Sequence, residues 1–230
     1  MIDNKKSLKL NVTIFIIILL LIDQILKIYI KTNFLLGEKV CLIGNWFCLY
    51  FVENAGMAYG LQWGGVIGKY ILTIFRIAAA AVILWYLIKS FNKSHHKLFY
   101  YSLAFIFAGA VGNIIDSMFY GLIFSESGVF GFDTQPAHFV PFGQGYAPFM
   151  QGRVVDMLYF PIINTTLPEW LPIWGGKQFI FFQPIFNIAD TCITTGVLIM
   201  IFFYKKVFSQ PETAVKSREV DNQDEIVERD

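Results

Sequence analysis

The chain has little charge. Only 15% of its 230 residues are Asp, Glu, Lys or Arg, against roughly 25% in soluble domains. Of 17 acidic residues, seven lie beyond residue 208, which leaves ten for everything before it. The net charge of +1 combines −4 in that tail with +5 in residues 1–208, so it says nothing about partners, and nothing points to nucleic acid. Histidine is scarce: His95 and His96 share one loop and His138 stands far along the chain, so no metal cluster emerges and no metal or cofactor is expected. No serine or cysteine in the apolar segments has a histidine beside it, which argues against those two peptidase classes. There is no repeat period and no low-complexity tract.

Apolar residues are abundant. They make up 56% of the chain, mean hydropathy is +0.55, and phenylalanine alone occurs 24 times. Apolar runs of about twenty residues override the soluble-domain prior that the length suggests. Four segments reach spanning length, near residues 11–30, 66–88, 98–117 and 185–204. Lys5, Lys6 and Lys9 precede the first, but no small-residue cleavage site follows it, so it reads as an uncleaved anchor. Lysines also mark the 89–97 loop and the end of the last span, whereas 118–184 carries only Arg153 and Lys177. The excess of basic residues on the inner side then places both termini in the cytoplasm and segments 31–65 and 118–184 outside.

The fold expected is an all-α membrane protein with four transmembrane helices, a small extracytoplasmic β-hairpin or sheet, and a long extracytoplasmic insertion. Residues 1–208 form one membrane-embedded domain, and 209–230 a disordered cytoplasmic tail. In the first outer segment, "KVCLIGNWFCLYFV" flanks Gly44-Asn45 with apolar runs, the signature of a two-residue hairpin turn. That register sets Ile43 opposite Trp46, Leu42 opposite Phe47, and Cys41 opposite Cys48. A disulfide is permitted in an oxidising outer location, although the counted register makes the cysteines a widely spaced, hydrogen-bonded pair. Two free thiols are the alternative.

Polar residues within the spans are few and layered. Asp23 and Lys27 stand four residues apart in the first span, Asn113 and Asp116 three apart in the third, and Asn187 and Asp190 three apart in the fourth. Asp156, in "GRVVDMLYF", is flanked by apolar residues that hold it against the outer surface. All four aspartates fall in the outer leaflet. A charge at a helix centre costs about 2.5–3.5 kcal/mol on insertion scales, so four carboxylates at one depth point to a shared polar pocket. Two aspartates brought close share a proton, one serving as base to activate water and the other as acid. Plainer readings exist for each residue. Asn187 and Asp190 suit a helix cap and first-turn acid; Asp23 and Lys27 suit a structural ion pair; Arg76 suits a neutraliser of a nearby carboxylate. A proton-coupled transporter would spread polar residues through the full depth and carry an internal repeat, and a membrane scaffold leaves the aspartate layer unexplained.

Five stretches, "IDQILK", "ENAGMAYG", "GAVGNIID", "GRVVDML" and "FNIAD", occur in order over roughly residues 15–205. They resemble the successive motifs of the lipoprotein signal peptidase (signal peptidase II) family. The resemblance implies an aspartic endopeptidase of the bacterial inner membrane, working near the periplasmic face as a monomer among membrane lipids. Its substrates are diacylglyceryl-prolipoproteins, cut just before the lipidated cysteine. Carried over by motif, Asp156 and Asp190 are the catalytic pair, and Asp23, Lys27, Asn54, Asn113, Asp116 and Asn187 the supporting set. "ENAGMAYG" and the hairpin are expected to clamp the extended peptide. Two departures stand out. Ser117 occupies the place of the arginine usual after "GNxxD", with Arg153 a candidate to supply its contact. About thirty extra residues, centred on "SGVFGFDTQPAHFVPFGQGYAPF", precede "VVD" and read as an outer lid; deleting about Ser127 to Phe149 is expected to leave measurable cleavage, and otherwise Asp133 and His138 fall under suspicion.

Overall fold

The computed structural model describes residues 2–55, 65–93 and 95–209. Among the described residues three helices are long and apolar enough to cross a membrane: α1 (Ile2–Asn33), α2 (Gly65–Ser90), and α3 (Lys97–Ile115) with its continuation. That continuation is a π-helical turn (Asp116–Tyr120) followed by a short turn, α4 (Gly121–Ile123). A fourth apolar helix, α5 (Ile188–Phe202), is shorter at 15 residues and leads into α6 (Tyr204–Phe208). Side chains such as Ile25, Ile67, Ile71 and Phe75 stay exposed on α1 and α2, a surface suited to lipid contact. His96 starts α3 by accepting the Leu98 amide on its Nδ1.

The helices approach closely because glycines line the contact. A Cβ added at Gly109 would lie 2.2 Å from the Ala189 carbonyl oxygen, and one at Gly112 would lie 2.6 Å from Asp23 Oδ2. α3 is thereby pressed against α5 and α1. One apolar cluster, including Val12, Leu87, Phe99, Leu103 and Val207, ties α1, α2, α3 and α6 together. A second, including Ile30, Phe51, Tyr120, Val155 and Met157, lies where α1 and the π-helical turn meet the sheet.

Four strands form an antiparallel sheet in the order β1 (Lys39–Ile43), β2 (Phe47–Asn54), β3 (Val154–Tyr159), β6 (Ile185–Phe186). Two more, β4 (Ile163–Thr166) and β5 (Gln178–Phe181), make a separate hairpin between β3 and β6. The β1–β2 turn differs from the two-residue expectation. Gly44 to Trp46 form a three-residue turn, with Gly44 at φ 51°, Ile43 opposite Phe47, and a bulge between Cys41 and Ile43. The extra residue is absorbed at Leu42, so Cys41 still faces Cys48 and the two are joined in a disulfide. The expected disordered tail lies outside the described residues, apart from Ser209, as does most of "ENAGMAYG", from Gly56 onward.

Candidate active site

Residues from five elements converge on one buried polar layer. On α1, four-residue spacing stacks Asp23 under Lys27 on one face, and both are buried. Lys27 Nζ reaches Asp23 at 3.0 Å, Asp116 at 2.8 Å and Asn113 Oδ1 at 2.9 Å. Gln24 adds a second tie, donating from Nε2 to both Asp23 and Asp116 at 3.0 Å, while its Oε1 accepts from the Tyr120 hydroxyl. Asp23 Oδ1 accepts the Ala189 amide at 2.9 Å, and Asp116 Oδ2 accepts the Val155 amide at 3.2 Å. These two carboxylates are thus saturated by a cation and by backbone, and they fix α5 and β3 against the bundle.

Asp156 and Asp190 are held differently. Asp190 belongs to a capping box at the start of α5: its amide donates to Asn187 Oδ1 and its Oδ2 accepts the Asn187 amide. Asn113 Nδ2 donates to Asp190 Oδ1 at 2.9 Å. Asp156 accepts from Asn187 Nδ2 at 2.7 Å and from Asn54 Nδ2 at 3.3 Å. Asn187 Nδ2 also reaches Asn113 Oδ1 at 3.1 Å, so the two asparagines bridge the two aspartates.

Burial pushes the Asp156 carboxyl up to about 7, with the negative charge of Asp190 adding to the rise; hydrogen bonds from Asn54 and Asn187 and the charge of Lys27 oppose it. A carboxyl poised there is able to hold a proton at neutral pH. Arg76, on α2, lies within electrostatic reach of Asp190, Asp156 and Asp116, in keeping with the neutralising role read from its position.

The structure thus gathers Asp23, Lys27, Asn54, Asn113, Asp116, Asp156, Asn187 and Asp190. It leaves Arg153 out. That guanidinium pairs with Glu53 at 2.8 Å and with Glu126, so it makes no contact in the aspartate layer in place of the missing arginine. Ser117 is buried and donates to the Asn113 carbonyl at 2.9 Å. Gly152 is required beside it, since an added Cβ would stand 2.1 Å from the Asp116 carbonyl. Two of the histidines serve elsewhere: His95 stacks on Phe99 and His138 bonds with Ser125. Sequence reasoning missed Gln24, although it sits inside "IDQILK" next to Asp23, and it missed Lys31 and Glu53. The signal for Lys31 was the repeated four-residue step 23, 27, 31.

Residues 15–205 match the family described as signal peptidase (SPase) II. A lipoprotein signal peptidase of Porphyromonas gingivalis is 44% identical over 199 residues, covering 86% of this chain and 84% of that protein. One of Amoebophilus asiaticus is 37% identical over 204 residues, covering 86% and 79%. A bacterial membrane enzyme solved by the in meso method at 2.3 Å resolution aligns with a TM-score of 0.52 at 23% identity, covering 88% of this chain and 92% of that one. That last likeness is one of fold.

Proposed function

Because the chain belongs to the signal peptidase II family, we propose that it is a membrane aspartic endopeptidase that removes signal peptides from diacylglyceryl-modified prolipoproteins. Cleavage falls just before the lipidated cysteine. The observation that carries the aspartic reading is the contrast between two pairs of carboxylates. Asp23 and Asp116 both pair with the ammonium of Lys27, whereas Asp156 and Asp190 are bridged by asparagines.

In the mechanism that follows, Asp156 and Asp190 hold one proton and one water between them. Asp156, raised to about 7, keeps the shared proton near neutrality. Asp190 takes a proton as the water attacks the scissile carbonyl, and Asp156 donates, the proton passing finally to the leaving amine. Asn187 and Asn113 orient both carboxylates, and Asn54 lines the strand along which the peptide extends.

The proposed architecture is four spans in one domain over residues 1–208. α5 and α6 together cover 188–208, about 30 Å at 1.5 Å per residue, enough for the fourth. Both termini face the cytoplasm, the aspartates lie near the periplasmic face of the inner membrane, and the protein acts as a monomer. Purified protein in lipid nanodiscs is expected to cleave a diacylglyceryl lipopeptide. Asp156→Asn and Asp190→Asn each lower kcat by at least about a thousandfold, and the double variant is no worse than either. Near-normal turnover by a folded single variant removes that residue from the pair.

A further inference from the structure

A second buried charge cluster lies apart from the aspartates. Lys31, fully buried at the end of α1, pairs with the buried Glu53 and donates to Ser127 Oγ at 2.9 Å. Glu53 Oε1 also accepts from Ser127 Oγ at 2.8 Å, and its Oε2 accepts from Arg153 at 2.8 Å. Arg153 extends to Glu126, and its amide donates to the Tyr146 hydroxyl at 2.6 Å. The Tyr146 ring stacks under both cations, 4.7 Å from Lys31 Nζ and 4.8 Å from the guanidinium. Two cations and two carboxylates make the cluster neutral. Burial alone would raise the Glu53 carboxyl; Lys31 and the hydrogen bonds from Arg153 and Ser127 reverse this and hold it below the usual carboxylate range.

The position of the cluster gives it a meaning. In the β2–β3 ladder Asn54 pairs with Val154, Glu53 with Val155 and Val52 with Asp156. Alternation along strands puts Asn54 and Asp156 on one face and Glu53 and Arg153 on the other. The cluster therefore grips both strands directly behind the Asn54–Asp156 hydrogen bond. That bond is long, at 3.3 Å, and only the in-register run Val52 to Asn54 holds this end of the β2–β3 ladder beyond the shift between Leu49 and Val52, so the cluster gives the same stretch a second hold. A buried ion pair is a costly way to add stability and its best-attested use is to fix register.

We propose that Glu53, gripped between Lys31 and Arg153, is a positioning residue for Asp156 that acts through Asn54. It touches no substrate. It sets where the Asn54 amide meets the Asp156 carboxyl, and with it the carboxyl's orientation toward the attacking water. The inference rests on Asp156 being catalytic, as proposed above.

A double-mutant cycle tests it, with kcat and KM for a diacylglyceryl lipopeptide measured in nanodiscs. Glu53→Gln and Asn54→Ala are each expected to lower kcat about tenfold, the scale of one hydrogen bond, with KM within twofold. Adding Glu53→Gln to Asn54→Ala is expected to lower kcat no further, since the effect runs through a side chain already removed. Arg153→Lys, which keeps the charge and loses the fork, is expected to show a smaller drop that also vanishes in the Asn54→Ala background; it carries the test if Glu53→Gln does not fold. Multiplying losses, or an unchanged kcat in the folded Glu53→Gln and Arg153→Lys variants, would overturn the role. Activity retained by Asp156→Asn would instead overturn the assignment on which it rests, and the two failures are read from different variants.

Discussion

Asp156 carries a pH signature of its own. Its carboxyl is pushed from 3.8 to about 7 in the folded protein by burial and the nearby Asp190 charge. The folded state therefore binds a proton more tightly than the unfolded chain, and stability is highest below the ordinary carboxylate range. It falls as pH rises from about 4 through about 7, as the unfolded chain releases its proton first. The expected outcome is a melting temperature in detergent that declines over that interval, with a shallower decline in Asp156→Asn, where no proton is exchanged at this site. An equal slope in both proteins, measured by thermal unfolding at successive pH values, would place the shift elsewhere. Asp23 is the contrast: its oxygens are occupied by Lys27, Gln24 and the Ala189 amide, which suits the supporting role that the four-residue spacing first suggested.

Among the elements, α3 and α5 bring the two halves of the layer together, and glycine sets their distance. Gly112→Ala places a methyl group 2.6 Å from Asp23 Oδ2 and 3.2 Å from the Ala189 side chain, so the Asp23 carboxylate must shift out of its bonds or the helices must give way. Overpacking of this kind costs about 1–3 kcal/mol. A lower melting temperature together with a loss of kcat is expected, because Ala189 immediately precedes Asp190. Normal activity at reduced stability would show that the layer tolerates the shift. The long segment before β3 is more tightly fastened than its composition suggests. Ala147 donates to the Gly121 carbonyl, Tyr146 to that of Phe124, and Gly145 leaves no room for a side chain against Gly121. Deleting Ser127 to Phe149 removes Ser127 and Tyr146 from the Lys31 cluster and uncovers a buried ammonium. Loss of folded protein in gel filtration is now the expected result, in place of the clean removal that a free lid would allow. Phe132, 90% exposed, marks the opposite extreme, and Phe132→Ser is expected to change stability by less than about 0.5 kcal/mol.

For the whole molecule, orientation is the testable property. A membrane-impermeant maleimide is expected to label Phe132→Cys in intact cells and Ser209→Cys only after permeabilisation, with buried Cys192 and the bonded Cys41 and Cys48 silent. The reverse pattern would invert the proposed topology. Three apolar spans, the polar residues in the apolar segments and the motif order were legible in the sequence, because a polar side chain in an apolar run is costly and therefore rare enough to notice. Helical spacing then joined Asp23 to Lys27, Asn113 to Asp116 and Asn187 to Asp190 without any coordinates. Strand alternation and turn signals also set Cys41 against Cys48, although the turn itself took three residues where two were counted. What the residues alone left open was which aspartates pair. Asp156 lies on a strand and Asp190 on a helix thirty-four positions later, and no local period links them; only the resemblance singled them out. The tertiary structure decided the partners: Lys27 goes to Asp23 and Asp116, the asparagines go to Asp156 and Asp190, and Arg153 turns to the back of the sheet. Such choices depend on helix approach and strand register, which are set by packing between distant segments and are invisible to any window of neighbouring residues.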